Sequence, residues 1–233
     1  MARLPRLVLP HHPHHVIQSA NQGQPLFSAA EDYLRFLEWL KLSAKECKVA
    51  IHAYVLTPDQ VQLLATPASE QGLAQMMQRV GRYYVPWYNS KYGRRGSLFQ
   101  GRFKTSLIDA ASYLMLCSRY IETAPVRAQL AGEARDYPWS SFGHHAGLRS
   151  DAMVTDHALY WALGNTPFQR EAAYLILSEP ALSQAQLANL EAAVLKGWPL
   201  GSEQFKAELQ QRAKRQVLPA KRGRPFKKVI EAA

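Results

Sequence analysis

The chain has 233 residues, and a hydrophobic content of 47% excludes a protein that is disordered throughout. Lysine and arginine outnumber aspartate and glutamate by 28 to 18, and this net charge of +10 favours a polyanionic partner, nucleic acid ahead of an anionic membrane. The sequence contains no run of 18 apolar residues. Its two cysteines, Cys47 and Cys117, are too far apart along the chain to form a CxxC motif. We therefore expect a cytoplasmic protein with reduced thiols, no membrane partner and no cysteine zinc site.

The first third of the chain predicts a strand, a helix and a hairpin. Residues 14–18 predict a strand, and apolar residues at helical spacing predict a helix over residues 28–42. Residues 48–56 and 60–66, which are rich in β-formers around a Thr-Pro-Asp turn, predict a β-hairpin. On its second strand, alternation places one set of side chains on a common face, namely Gln60, Gln62 and Leu64.

Residues 71–108 contain no aspartate or glutamate. The aromatic residues in this stretch follow a helical stripe, which predicts that most of them are buried, and Pro86 is expected to kink or interrupt the helix. The basic residues have no acidic neighbours along the chain, so DNA phosphates would supply their partners. The predicted DNA-binding set is Arg79, Arg82, Lys91, Arg94, Arg95, Arg102 and Lys104.

The next predicted helix runs from about residue 110 to 123, with Asp109 at its N-cap. Tyr120 shares a face of this helix with Tyr113, Leu116 and Cys117. By itself this pattern favours a buried aromatic over a nucleophile.

The composition divides the chain into three parts. We predict a domain over residues 1–150, a helical domain over 151–213, and a basic, disordered tail over 214–233. A flexible Arg-Gly-Arg-Pro segment can enter a narrow A·T minor groove, or it can be a solubilising tail. The predicted DNA-binding residues of the tail are Lys221, Arg222 and Arg224.

Ordered blocks of sequence carry a family resemblance: Pro13–Ile17, His52–Leu56, Gly96–Lys104, Arg119–Ile121, Pro125–Ala128 and Tyr137–Ser141. Through these blocks the chain resembles the REP-associated tyrosine transposases, a bacterial branch of the HUH single-strand DNA nucleases. The resemblance implies an α+β fold, in which helices flank a ferredoxin-like or RRM-like antiparallel sheet and a helical extension follows. It also implies DNA as the partner, a homodimer, and a location at the bacterial nucleoid.

The resemblance also implies the site. In the family, two histidines and a third ligand hold a divalent metal, and a tyrosine attacks the phosphate to form a 5′-phosphotyrosine bond. Tyr120 matches the nucleophile, whereas the metal-ligand positions hold Gln60, Gln62 and Ala124. Amide oxygens are weak ligands and alanine has no donor atom, so we expect no cofactor. Magnesium or manganese would bind only if the altered site were completed by Asp59, His52 or His14.

Three hypotheses follow from these residues. The leading one is a DNA-binding protein that recognises single-stranded or hairpin DNA and has an impaired nuclease centre. The second is an active, metal-dependent single-strand DNA transposase or nickase with Tyr120 as its nucleophile. The third is a non-catalytic regulator or dimer partner of an active transposase.

Overall fold

The computed structural model describes residues 5–21, 23–213 and 216–218. In these residues four antiparallel strands form an open sheet in the order β2-β3-β1-β4. The strands are β1 His14–Ser19, β2 Val49–Thr57, β3 Gln60–Pro67 and β4 Lys104–Leu107. Helices flank this sheet, so the predicted α+β fold is confirmed.

Two long helices cover one face of the sheet. Two other helices, which are far apart in the sequence, cover the opposite face. The first pair is α1 Ala30–Glu46 and α2 Gly72–Lys91, and the second pair is α3 Ala110–Glu122 and α8 Gln184–Lys196. The other helices are α4 Ala124–Arg127, α5 Phe142–His145, α6 Ala158–Trp161, α7 Pro167–Ser178 and α9 Glu203–Arg212. None of the helices within the described part of the chain is long and apolar enough to cross a membrane.

Each face of the sheet has its own hydrophobic core. Val61 and Leu63 of β3 pack with the buried side chains of α1 and α2, whereas Leu64 packs with those of α3 and α8. This is the alternation that the hairpin sequence predicts, because successive side chains of a strand point to opposite faces.

Two local predictions about helices turn out differently. The helix α2 continues through Pro86 to Lys91, so Pro86 does not interrupt it, and the alternative that Pro86 kinks the helix stays a prediction. Pro86 is exposed, and the buried Tyr84 and Tyr88 on either side of it anchor the helix to the core. Asp109 is the N-cap of α3 as predicted, but its carboxylate accepts a hydrogen bond from Ser202 N at 3.2 Å and does not cap a helix N–H.

The segment after residue 150 packs directly on the sheet. Met153 belongs to the core beneath α1 and α2, and Leu190 and Ala193 of α8 belong to the core beneath α3. Backbone bonds join the two parts as well, since Leu200 N donates to Leu107 O at 2.8 Å. The boundary at residue 150 stays a prediction, and the tail residues Lys221, Arg222 and Arg224 lie outside the described residues.

Candidate functional site

The strand register gathers polar side chains on the face of the sheet that carries α3. β1 and β3 pair so that Ile17 lies opposite Gln62 and Ser19 lies opposite Gln60, and cross-strand partners point to the same side. Gln62 Nε2 donates a hydrogen bond to Gln60 Oε1 at 2.6 Å, and Gln60 Nε2 donates to Ser19 Oγ at 3.3 Å. The two glutamines therefore bond to each other along one strand.

His15 begins this chain of hydrogen bonds. Its Nε2 lies 3.1 Å from Gln62 Oε1, and because that oxygen can only accept, the imidazole proton is on Nε2. The side chain is fully buried, and burial lowers the pKa of His15 to about 4, against the opposing effect of the hydrogen bond to Gln62. His15 is therefore neutral at pH 7. We call His15, Gln62, Gln60 and Ser19 the amide relay.

The helix α3 places Tyr120 against the amide relay. The rings of Tyr120 and His15 meet edge to face with centroids 5.6 Å apart, and Tyr120 is 8% exposed. Burial raises the pKa of Tyr120, while the guanidinium of Arg127 lowers it and Glu191 raises it. At neutral pH the phenol is therefore protonated.

Arg127 is fixed above the phenol ring. Its guanidinium carbon lies 4.3 Å from the ring centroid of Tyr120, within the range of a cation–π contact. One terminal nitrogen donates to Tyr120 O at 2.5 Å and the other to Thr123 Oγ1 at 2.6 Å. Arg127 was not among the residues predicted to bind DNA. The signal that could have found it is its place in the Pro125–Ala128 block, two helical turns after Tyr120.

The residues at the three positions that the resemblance assigns to metal ligands do not fit a divalent cation. The Oε1 atoms of both Gln60 and Gln62 already accept hydrogen bonds inside the amide relay. Ala124 begins α4, is buried, and has only a methyl group to offer. Weak amide donors engaged with each other cannot replace two imidazoles and a third ligand.

The three residues considered as replacement ligands are engaged elsewhere. Asp59 Oδ1 accepts from Thr57 Oγ1 at 2.9 Å. His52 bonds to Thr66 and Thr155, and His14 Nε2 accepts from the backbone N–H of residue 9. Among the residues that the structure describes, no group of three or more His, Cys, Asp or Glu side chains is arranged to hold a metal ion.

Two of the predicted DNA-binding cations already have acidic partners. Arg79 pairs with Glu46 at 2.5 Å, and Lys91 pairs with Glu31 at 2.8 Å and with the buried Asp32 at 2.7 Å. Arg79 and Lys91 have no acidic neighbours along the chain, as predicted, but the inference that phosphates must supply their partners is wrong for these two residues. The reason is that α1 supplies the carboxylates from a neighbouring helix, on the face of the sheet opposite to Tyr120.

Other predicted cations lie closer to the amide relay. Lys104 opens β4 opposite Ile17, so it is exposed on the relay side of the sheet. The loop before β4 is tied to the end of β1, because Gln100 N donates to Ser19 O at 2.9 Å. Arg94 of this loop bonds to Gln24. The remaining predicted cations are exposed and form no ion pair within the described ranges; they are Arg82, Arg95 and Arg102.

A second polar cluster is centred on Glu122, two residues after Tyr120 on α3. Glu122 is fully buried and accepts hydrogen bonds from Ser141 Oγ, from Tyr174 OH, and from His145 Nδ1 at 2.7 Å. Burial alone lowers the pKa of His145, but the carboxylate of Glu122 raises it above its ordinary value. We call these four side chains the Glu122 network. It joins α3 to α5 and α7, and no spacing in the sequence had pointed to it.

Comparison with known proteins agrees with the observed fold. A model of the family described as IS200-like transposases matches residues 9–124, from the approach to β1 through the first residue of α4. A solved structure of a REP-associated tyrosine transposase bound to a REP hairpin shares the fold, with a TM-score of 0.52 at 13% identity. The match covers 67% of this chain and 99% of the other. No curated protein matches significantly. The resemblance drawn from the sequence blocks is confirmed, and the chain belongs to the IS200-like transposase family.

Proposed function

We propose that this protein binds single-stranded or hairpin DNA on the face that carries Tyr120, and that its nuclease centre is impaired. The observation that carries the proposal is the amide relay. At the two positions where the family has metal-binding imidazoles, Gln60 and Gln62 bond to each other and to His15 beside the Tyr120 ring. The aromatic and cationic neighbours of Tyr120 support its assignment as the nucleophile position, and the engaged amides support the loss of the metal.

The chemistry of strand cleavage supports this proposal. A bound divalent cation polarises the scissile phosphate and contributes several kcal/mol to the stability of the transition state. Each ~1.4 kcal/mol removed from that stabilisation slows the reaction about tenfold. Burial also raises the pKa of the Tyr120 phenol, which makes it a weaker nucleophile at neutral pH. Cleavage is expected to fall by orders of magnitude.

DNA binding does not depend on the metal. Arg127 and Lys104 place positive charge on the relay side of the sheet, and exposed Arg95 and Arg102 extend it along the loop before β4. Such side chains bind the phosphate backbone without reading its sequence. The solved structure that shares the fold is described as bound to a REP hairpin, which makes hairpin DNA the first substrate to test.

The test combines a native gel and a denaturing gel with a labelled DNA hairpin that carries single-stranded flanks. The wild-type protein is expected to shift the hairpin on the native gel and to form no covalent adduct with Mg²⁺ or Mn²⁺. A variant that rebuilds the family ligand set, with Gln60→His, Gln62→His and Ala124→Asn, is expected to gain a Mn²⁺-dependent adduct. That adduct should disappear when Tyr120→Phe is added.

The outcomes separate the three hypotheses. A metal-dependent adduct with the wild-type protein, absent in Tyr120→Phe, would overturn the impaired centre and establish the active transposase or nickase. No shift of hairpin or single-stranded DNA at low salt would remove DNA binding. A regulator or dimer partner predicts a third result, in which the protein lowers or raises cleavage by an active relative added to the same reaction.

A further inference from the structure

An apolar stripe runs along the outer face of α7. Phe168 and Ile176 lie two helical turns apart and are 79% and 66% exposed. Ala172 stands between them, four residues from each, so the three side chains share one face of the helix. The opposite face carries Arg170 and Tyr174, which are buried. The helix therefore packs on the protein through one side and presents an apolar stripe on the other, as interaction sites do.

The charge around this stripe is negative. Glu179 lies three residues after Ile176 on the same face, is exposed, and forms no ion pair within the described ranges. Residues 151–195 hold five acidic residues and a single basic one, Arg170, although the whole chain has a net charge of +10. Such a surface repels a DNA strand and attracts a basic partner.

A second copy of the same helix does not supply that partner. Arg170 is the only cation of α7, and it is 7% exposed with its guanidinium over the ring of Trp161. Two α7 helices packed on each other would therefore leave the carboxylates of Glu179 without cations. The stripe calls for a segment that combines apolar residues at helical spacing with lysine or arginine.

The C-terminal sequence of this chain has that combination. After Pro225, the apolar residues Phe226, Val229 and Ile230 follow at the i, i+3 and i+4 spacing of one helix face. Two lysines, at positions 227 and 228, lie between them. Proline is favoured in the first turn of a helix, so its position before the apolar residues agrees with this pattern.

The described part of the chain ends near the helices that lead to α7. Val217 is buried against Leu107, which lies three residues before α3. α6 contacts α3, and Trp161 of α6 lies under Arg170 of α7, with 4.1 Å from the guanidinium carbon to the ring centroid. The path from Val217 to α7 therefore follows α3, whose 13 residues extend about 20 Å.

The chain beyond Leu218 is long enough for this path. Phe226 follows Leu218 by eight residues, which span up to about 26 Å when extended. This reach exceeds the length of α3, so the C-terminal segment can meet α7 of the same molecule.

We propose that the outer face of α7, formed by Phe168, Ala172, Ile176 and Glu179, binds residues 226–233 of the same chain. The apolar side chains of the segment cover the stripe, and its lysines lie beside Glu179. Binding closes residues 219–225 into a loop that carries the predicted DNA-binding residues of the tail, Lys221, Arg222 and Arg224. The contact forms without DNA, so the inference does not depend on the proposed function.

The experiment measures amide hydrogen exchange of residues 226–233 by mass spectrometry in the full-length protein without DNA. A synthetic peptide of residues 219–233, free in the same buffer, gives the reference rate. The tested variant is Ile176→Glu, at an exposed position of the stripe. The matched control is Leu34→Glu, which places the same charge at a 59% exposed position of α1, on the other side of the sheet.

Exchange of the segment is expected to be about tenfold slower in the wild-type protein than in the free peptide, as ~1.4 kcal/mol of binding would give. Ile176→Glu should raise the rate to that of the peptide, and Leu34→Glu should leave it as in the wild type. Phe226→Ser, a change in the segment itself that leaves α7 untouched, should also raise the rate. A wild-type rate equal to that of the peptide would overturn the proposal.

Three other outcomes would also contradict it. Slow exchange that Ile176→Glu does not change would show that the segment is held elsewhere. Slow exchange that is lost on dilution of the protein would show that the segment comes from a second copy. Slow exchange that appears only after a DNA hairpin is added would assign the segment to DNA binding.

Discussion

The amide relay contacts α3 at Tyr120, and the Glu122 network lies two residues later on the same helix. The relay consists of neutral side chains, whereas the network contains a buried carboxylate. In the relay both side chains that hydrogen-bond to Gln62 are neutral, and the series of hydrogen bonds ends at Ser19. In the network a fully buried carboxylate is enclosed by three donors. A buried charge is tolerated only when it is fully paired.

The difference supports the proposal that the ligand binds at the relay and not at the Glu122 network. The Glu122 network is complete in itself, so it stabilises the fold and has no unmet charge. Around the relay, the positive charge of Arg127 lies over a ring and a backbone carbonyl and has no carboxylate paired with it in the described residues. A phosphate would supply that partner. The same helix therefore contacts a complete structural cluster on one side and, on the other, the face that we propose binds DNA.

Removing one residue from each cluster gives the largest expected contrast. Glu122→Ala removes the acceptor that three buried donors share and should lower the free energy of unfolding by about 3–5 kcal/mol. Gln62→Ala removes the hydrogen bonds to His15 and Gln60, which are both neutral, and should lower the free energy of unfolding by about 1–2 kcal/mol. Urea unfolding followed by circular dichroism measures both values. Equal decreases for the two variants would contradict the distinction between the clusters.

The pH dependence of stability tests the neutral histidine of the relay. Because burial lowers the pKa of His15 from 6.5 to about 4, the unfolded chain binds a proton below pH 6.5 that the folded protein does not. The contribution of His15 to the free energy of unfolding is complete above pH 6.5. It decreases by roughly 3 kcal/mol as the pH falls towards 4. The difference in urea stability between the wild type and His15→Gln should change by that amount between pH 7 and 4.

Burial also lowers the pKa values of His14 and His52. These two histidines therefore change the free energy of unfolding with pH in the same way in the wild type and in His15→Gln. They therefore cancel from the difference between the wild type and His15→Gln. Parallel profiles for the two proteins would show that His15 is not held neutral in the folded state.

His145 should show the opposite sign. Its pKa is raised by Glu122 against the effect of burial, so its contribution to stability is present below pH 6.5 and decreases as the pH rises through the folded pKa. His145→Gln should therefore be most destabilising at acidic pH and less so at about pH 8. The same urea series measures this trend, and a destabilisation that grows with rising pH would rule out the charged pair.

The smallest expected effect concerns the salt dependence of DNA binding. Lys104→Ala, on the relay side of the sheet, should reduce the slope of log K against log salt concentration by about one unit for each phosphate that Lys104 neutralises. Arg79→Ala should leave the slope unchanged, because Arg79 is paired with Glu46 on the opposite face. Fluorescence anisotropy with a labelled hairpin between about 50 and 200 mM salt gives both slopes. A larger change for Arg79→Ala would reverse the assignment of the binding face.

The sequence by itself determined the features that depend on local periodicity and on ordered motif blocks. Alternation along residues 60–66 placed Gln60, Gln62 and Leu64 on one face, and helical spacing placed Tyr120 on a buried face of α3. The blocks identified the family. These signals are local because side-chain direction repeats every two residues in a strand and every 3.6 in a helix.

Only the tertiary structure decided which distant side chains meet. His15 joins Gln62, 47 residues later in the sequence, through strand pairing, and Glu46 neutralises Arg79 through the packing of α1 on α2. The α7–α8 connection closes a groove over Arg127. No local spacing predicts such pairs, because the path of the chain through the fold brings the partners together. The electrostatic character of the two clusters, a neutral relay beneath the Arg127 cation and a buried carboxylate in the Glu122 network, is a property of those contacts.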